Sequence, residues 1–291
     1  SELGQIQVIK TSEGYSSVNG LPAGTPLSGA IFAVYDKQNN VVDKFQTNEN
    51  GIGSSKKLPL GIYTVKEVQA PANYGLNPTV FTADIEFAGQ VVKLNVTDPV
   101  ITAGVSIKKT GYAQTMNNNV MRWTVSGVRN DSTTSLQSFY WRDTLPTDAV
   151  RLTRLVTGTY STTQTYKVTF TTNLNSQWRT AYDNLSTAKN YTLDMSSAAL
   201  GLASNEYVTQ FMLSFGIVPA GFHQLTNATV DAQTLYALTN GYKFTNKADV
   251  GGLLGGNWVQ SIARWTTSVY SHYVPAKPAA PKSPKLPRTG Y

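Results

Sequence analysis

Gly61-Ile62-Tyr63-Thr64-Val65-Lys66-Glu67-Val68 decides the fold class. In an extended chain Tyr63, Val65 and Glu67 fall on one face and their neighbours on the other, the period of two that marks a half-buried strand. Runs of the same kind, bounded by Gly, Pro, Asn and Asp, recur from end to end and signal β-sandwiches. In the first hundred residues the pattern predicts strands at 4–10, 30–35, 41–46, 61–68, 81–87 and 91–98. Turn signals fall between them, as in Asn48-Glu49-Asn50-Gly51. A second series begins at 105–109 and continues to 265–270. Around 230–238 the apolar spacing fits either period, so a short helix or two is expected there. All five Trp residues lie in the second series, which gives the two halves different cores, and Pro99-Val100 is the natural seam. The chain reads as all-β, with two sandwich domains in tandem, 1–99 and 100–272, followed by a tail at 273–291.

Apolar residues make up 41% of the 291 and charged residues 14%, which suits a globular protein with an ample core. Thr, Ser, Asn, Val and Tyr dominate, a strand vocabulary. The longest apolar stretches, such as 211–218, are too short to cross a bilayer as a helix. The opening Ser1-Glu2-Leu3-Gly4 is polar and fits a chain already trimmed of an export signal, or a fragment of a longer one. The absence of Cys excludes disulfides, thiolate metal sites and Cys nucleophiles. An exported protein of this kind needs another means of stabilisation. The net charge of +7 comes from 24 Lys plus Arg against 17 Asp plus Glu. Lys277, Lys282, Lys285 and Arg288 concentrate it in an acid-free tail, whereas a nucleic-acid footprint places it on a folded face. No nucleic-acid partner is expected.

From Tyr273 the chain reads Val-Pro-Ala-Lys-Pro-Ala-Ala-Pro-Lys-Ser-Pro-Lys, a composition that favours an extended polyproline II spacer without a core. It ends in Leu286-Pro287-Arg288-Thr289-Gly290, which resembles the LPxTG signal of sortase transpeptidases. The resemblance implies cleavage between Thr289 and Gly290 and transfer of the Thr289 carbonyl to an amine on the wall or on another subunit. The hydrophobic segment and basic end that follow such a signal are missing after Tyr291, so membrane contact is expected only through that missing part.

Three segments of the first domain carry a second likeness: Val8-Ile9-Lys10-Thr11, Pro26-Leu27-Ser28-Gly29-Ala30-Ile31-Phe32, and residues 47–74, which hold Ala70-Pro71-Ala72-Asn73-Tyr74. They resemble the collagen-adhesin B-type (prealbumin-like) repeats of Gram-positive surface proteins and pilins. The resemblance implies an internal isopeptide bond between a Lys and an Asn or Asp, promoted by a Glu. Strand parity selects among the residues present. Ile6, Val8 and Lys10 share a face, as do Tyr63, Val65 and Glu67, and Leu94, Val96 and Asp98, while Asn95 points the other way. Lys10 and Asp98 are therefore the expected partners, with Glu67 as promoter. Burial keeps the amine neutral and nucleophilic and a carboxyl protonated, and a protonated Glu67 polarises the acceptor and shuttles protons. The same residues also satisfy an ordinary buried ion pair.

The second domain looks like the A-type, immunoglobulin-like isopeptide domains, in which Asp replaces Glu. Val105, Ile107 and Lys109 align, as do Phe139, Trp141 and Asp143, and Tyr242, Phe244 and Asn246. The expected bond is Lys109–Asn246 with Asp143 as promoter, and parity turns the competitor Lys108 outward. A solvated Lys, a turn Asp and a loop Asn are the alternative. In each domain a bridge between first and last strands would close nearly the whole unit as a covalent loop.

Other signals carry less. His223 and His272 stand far apart without a carboxylate cluster, so neither a metal nor any other cofactor is expected. Gly251-Gly252-Leu253-Leu254-Gly255-Gly256 lacks the Lys and Ser/Thr of a phosphate loop and reads as a flexible connection. Asp131-Ser132-Thr133-Thr134-Ser135 reads as a polar turn. Together these features point to a structural, non-enzymatic, exported protein of the Gram-positive cell wall, a basal or minor pilin subunit. Its expected partners are sortase, peptidoglycan and other pilin subunits. Lys277, Lys282 and Lys285 are the candidate linking lysines. The rival is a wall-anchored adhesin that binds a host protein or glycan through Trp123, Trp141, Trp178, Trp258 and Trp265.

Overall fold

The computed structural model describes residues 2–115 and 119–270. Every regular element among them is a strand. The helix expected around 230–238 is absent. Residues Ala228–Thr234 form a strand instead, hydrogen-bonded on both sides. Ala228, Val230 and Ala232 face the core, and Asp231 falls on the outer face of the sheet, nearly buried against Arg122 and Arg154. Leu235, Tyr236 and Leu238 just past the strand end blur its period in the sequence. The chain divides into two compact units between Ala103 and Gly104.

The first unit contains β1 (Leu3–Ser12), β2 (Ile31–Tyr35), β3 (Val41–Gln46), β4 (Ile52–Ser54), β5 (Leu58–Pro59), β6 (Gly61–Gln69), β7 (Phe81–Ile85) and β8 (Val91–Asp98). One sheet centres on β1, flanked by β4, β5 and β8, and the other runs β3-β2-β6-β7. β1 alternates strictly, burying Ile6, Val8, Lys10 and Ser12. The inner faces meet on Ile6, Val8, Phe32, Val34, Val65 and Val96. β8 runs parallel to β1 from Gln5 opposite Val91 to Ser12 opposite Asp98, so the first and last strands are direct neighbours. The predicted turn at 48–51 is present. Asn48 Oδ1 accepts the N–H groups of Asn50 and Ile52, and Gly51 takes φ 75°, where a side chain is strained.

The second unit contains β9 (Val105–Gly111), β10 (Val120–Asn130), β11 (Leu136–Thr144), β12 (Val150–Val156), β13 (Thr159–Tyr160), β14 (Thr165–Thr172), β15 (Arg179–Ser186), β16 (Thr192–Asp194), β17 (Val208–Val218), β18 (Gln224–Thr226), β19 (Ala228–Thr234), β20 (Lys243–Leu254) and β21 (Asn257–Ser268). Two antiparallel sheets, β16-β12-β19-β10-β9 and β15-β14-β17-β11-β20-β21, enclose a core rich in aromatics. Trp141, Phe139, Tyr160, Phe211, Phe215 and Phe222 pack there mostly edge to face.

Residues 251–256 are not the flexible connection expected. Gly251 and Gly252 are strand residues of β20, and Gly255 and Gly256, both at positive φ, turn the chain tightly into β21. The glycines suit a two-residue hairpin and close packing, because a Cβ on Gly251 or Gly252 would meet Tyr140 or Leu136 at 2.8 Å.

Candidate functional site: two buried lysine clusters

In the first unit β1, β6 and β8 each carry one ionisable residue inward at the end of an apolar row. Lys10 is fully buried, as is Asp98, and Glu67 is nearly so. Lys10 Nζ lies 2.8 Å from Glu67 Oε2 and in direct contact with Asp98 Oδ1. The Lys10 ammonium also sits 5.6 Å from the centre of the Phe32 ring, and Phe32 is opposite Glu67 in register. Glu67 Oε1 accepts the Asn77 N–H at 2.8 Å, which fixes the carboxyl. Asp98 Oδ2 has no hydrogen-bond partner. Burial, and then the adjacent Glu67 carboxyl, push Asp98 up to about 7 against the opposing pull of Lys10. Asn95 is exposed, as parity required.

In the second unit Lys109 enters from β9 in one sheet, and Asp143 and Asn246 enter from neighbouring β11 and β20 in the other. All three are buried, whereas Lys108 is exposed. Asp143 spans the cluster. Its Oδ2 accepts from Lys109 Nζ at 2.7 Å and its Oδ1 accepts from Asn246 Nδ2 at 2.8 Å. Asn246 Nδ2 also donates to Thr144 O at 3.0 Å, and Asn246 Oδ1 is unpartnered. Burial lowers the Lys109 ammonium below its ordinary value, with Asp143 opposing. Asp143 thus holds the lysine amine and the Asn246 amide on its two oxygens, with burial disfavouring the charged form of the lysine.

Three expectations need correction. Tyr242 precedes β20 and is exposed, so it does not extend the buried row of Phe244 and Asn246. Asn246 lies on the last strand but one, so a Lys109–Asn246 bridge does not join first and last strands. β21 follows outside the loop, because the β20–β21 hairpin adds a strand after the acceptor. Nor do the five Trp residues make one surface. Trp123 and Trp141 are fully buried, Trp265 is half-buried with its Nε1–H on Tyr112 O, and only Trp178 and Trp258 are exposed. His223 Nδ1–H donates to Gly221 O at 2.8 Å, and the ring lines neither cluster. His272, Lys277, Lys282, Lys285 and the motif Leu286, Pro287, Arg288, Thr289 and Gly290 lie outside the described residues.

Residues 5–100 match the SpaA family, described as a prealbumin-like fold domain. The matched residues make up nearly all of the first unit. Over 123 residues the chain is 32% identical to the trypsin-resistant surface T6 protein of Streptococcus pyogenes serotype M6, a span of 42% of this chain and 20% of that protein. The chain therefore covers about a fifth of the length of this curated relative. Among solved structures it is similar to BcpA, the major pilin subunit of Bacillus cereus, with 15% identity, 92% of this chain and 69% of that chain covered, and a TM-score of 0.31. It is also similar to the full-length major pilin SpaD of Corynebacterium diphtheriae, with 16% identity, 91% and 65% covered, and a TM-score of 0.32. The Lys10, Glu67 and Asp98 cluster lies wholly within the residues that match this family, and the Lys109 cluster lies outside them.

Proposed function

We propose that this chain is a structural subunit of a Gram-positive surface fibre or wall stalk, a basal or minor pilin, that cross-links itself twice and is joined to its neighbours by sortase. The observation that carries this reading is the burial of one lysine in each unit against a carboxyl and an Asx side chain. Burying an ammonium costs several kcal/mol that an ion pair only partly offsets, whereas forming an amide removes the lysine charge in each cluster and, in the first, the Asp98 charge with it.

In the first unit the Lys10 amine attacks Asp98 Cγ once its ammonium proton has been given up. Glu67, in contact with Nζ, takes the amine proton and returns it to the departing hydroxyl, and water leaves. In the second unit Lys109 attacks Asn246 Cγ. Asp143 already touches both the nucleophile and the leaving nitrogen, so one carboxyl can move a proton from Nζ to Nδ2, and ammonia leaves. Neither step needs a cofactor, and each turns over once, which makes the chain its own substrate and not an enzyme. The likeness of residues 5–100 to a prealbumin-like family, and of 123 residues to a streptococcal surface protein, supports the surface location. Leu286-Pro287-Arg288-Thr289-Gly290 supports linkage through the Thr289 carbonyl, with Lys277, Lys282 or Lys285 as the amine that receives a preceding subunit. The intact mass tests the self-cross-linking. Two bonds remove one water and one ammonia, about 35 Da in all. A mass equal to that of the sequence would reduce both clusters to ordinary ion pairs.

A further inference from the structure

The outer face of the six-stranded sheet in the second unit carries an open groove of about 720 Å³, remote in role from the buried lysine clusters. It follows one rung of the sheet. Lys167 on β14 is opposite Ser214 on β17, Ser214 is opposite Tyr140 on β11, Tyr140 is opposite Gly251 on β20, and Gly251 is opposite Gln260 on β21. Ser214 and Gly251 are small, so the middle of the rung is depressed. Without a Cβ on Gly251 the Tyr140 ring lies down across β20 as the floor, which is why an outward-facing Tyr is only 6% exposed. Trp258 rises at one end, 51% exposed, its ring 5.7 Å from Tyr140 and at 78° to it.

The floor is hydrogen-bonded into place. Tyr140 OH donates to Asp249 Oδ2 at 2.9 Å and accepts from Gln260 Nε2 at 2.8 Å. Nearly buried Asp249 also holds Arg142 through Nε and Nη2 at 3.0 and 2.8 Å. This leaves Arg142 Nη1 and Gln260 Oε1 without partners among the described residues, a fixed donor and a fixed acceptor at the groove. The charges cancel, with Arg142 against Asp249 on the floor and Lys167 against Asp183 at the far rim.

We propose that this groove binds an uncharged pyranose glycan. Such a ligand has one face of C–H groups, which the negatively polarised face of an exposed indole attracts, and a ring of hydroxyls that both donate and accept. The groove offers one exposed aromatic wall, rigid planar polar groups and no net charge to select an anion. Its volume is in the range of small-ligand sites and suits one or two sugar rings. A proline-rich peptide would want parallel aromatic ridges, but the second aromatic here is laid flat as floor.

The whole chain is titrated with lactose, cellobiose, maltose and N,N′-diacetylchitobiose, following tryptophan emission and saturation-transfer NMR. At least one is expected to bind with a millimolar Kd. Trp258→Ala should weaken that binding at least about tenfold, the loss expected when a central aromatic contact is truncated, with an unchanged melting temperature because the side chain is half exposed. Gln260→Leu should weaken it in the same direction. The proposal is overturned if none of the four binds, if Trp258→Ala binds as well as the parent, or if only an acidic glycan such as 3′-sialyllactose or a proline-rich peptide binds. The mass measurement for the cross-links is unaffected by any of these outcomes, so the two readings fail separately.

Discussion

Lys10 and Asp98 stand on neighbouring parallel strands two rungs apart, Lys10 opposite Val96 and Asp98 opposite Ser12. The β1–β8 ladder is therefore loaded in shear when the ends of the domain are pulled apart. With Lys10 and Asp98 joined, tension entering β1 leaves through Asp98, and the chain between them carries none.

The second unit should behave differently under force. A Lys109–Asn246 bond leaves β21 outside the covalent loop, held by β20 and by the segment after β9. There Trp265 Nε1 and Thr267 Oγ1 donate to Tyr112 O, and Thr115 N donates to Ser268 O. Pulling should strip β21 and release at most the residues from 247 to 270, roughly 80 Å of contour. Single-molecule force traces should show that short step from the second unit and none from the first. Steps of full-domain length in the unaltered protein would contradict both bonds.

Lys10→Ala should remove the first bond alone, so the mass deficit falls from about 35 Da to about 17 Da. Opening a loop of this size should cost about 4–5 kcal/mol of unfolding free energy on the chain-entropy estimate. Mass spectrometry and denaturant melts of the same sample test both.

Asp143→Ala should leave only the water loss, about 18 Da. It also strands Lys109 buried and unpaired, a change that costs about 3–5 kcal/mol in comparable settings. A variant that keeps the full 35 Da deficit would remove Asp143 from the chemistry.

Unlinked protein should be stabilised by acid. In the folded state Asp98 is raised from 3.8 to about 7, chiefly by burial, so the fold holds a proton that the unfolded chain releases. The stabilisation is fully present below about 3.8 and is lost as pH rises through about 7. Urea melts of Lys10→Ala, which leaves Asp98 unlinked beside Glu67 and removes only the opposing charge, should show stability falling as pH rises through that window or above it. The linked parent should lack this component, since an amide has no carboxyl to titrate.

Gly51→Ala should act on the first cluster through the backbone. Gly51 sits at φ 75°, and a Cβ there would clash with Lys10 O. Strain at positive φ should cost about 1 kcal/mol, and the steric clash adds to it. Displacement of β1 at Lys10 should also slow or reduce amide formation, read as a mixture of linked and unlinked masses.

Much of both clusters was legible in the chain because parity is local. Lys10, Glu67 and Asp98 end apolar rows of period two, and the structure buries all three together while Asn95 and Lys108 point outward. The rows ending in Lys109, Asp143 and Asn246 were equally readable, apart from Tyr242, where the strand has not yet begun. Where apolar residues run on past a strand end, reading failed. Ala228, Val230 and Ala232 alternate cleanly, but Leu235, Tyr236 and Leu238 follow at a spacing that also fits a helix. The double glycines of 251–256 resemble a linker until Tyr140 and Leu136 are seen filling the space a side chain would need.

The sequence by itself determined the all-β class, the inward or outward sense of each side chain along its strand, and the chemistry available at each inward row, because alternation is a property of the extended backbone. Only the tertiary structure decided that β8 lies parallel beside β1, that Asp143 reaches Lys109 and Asn246 at once, that β21 follows the acceptor strand, and that Tyr140 floors a groove beside Trp258. Those are pairings between segments distant in the chain, set by the summed burial and hydrogen bonding of whole sheets and not by the local pattern of any one strand.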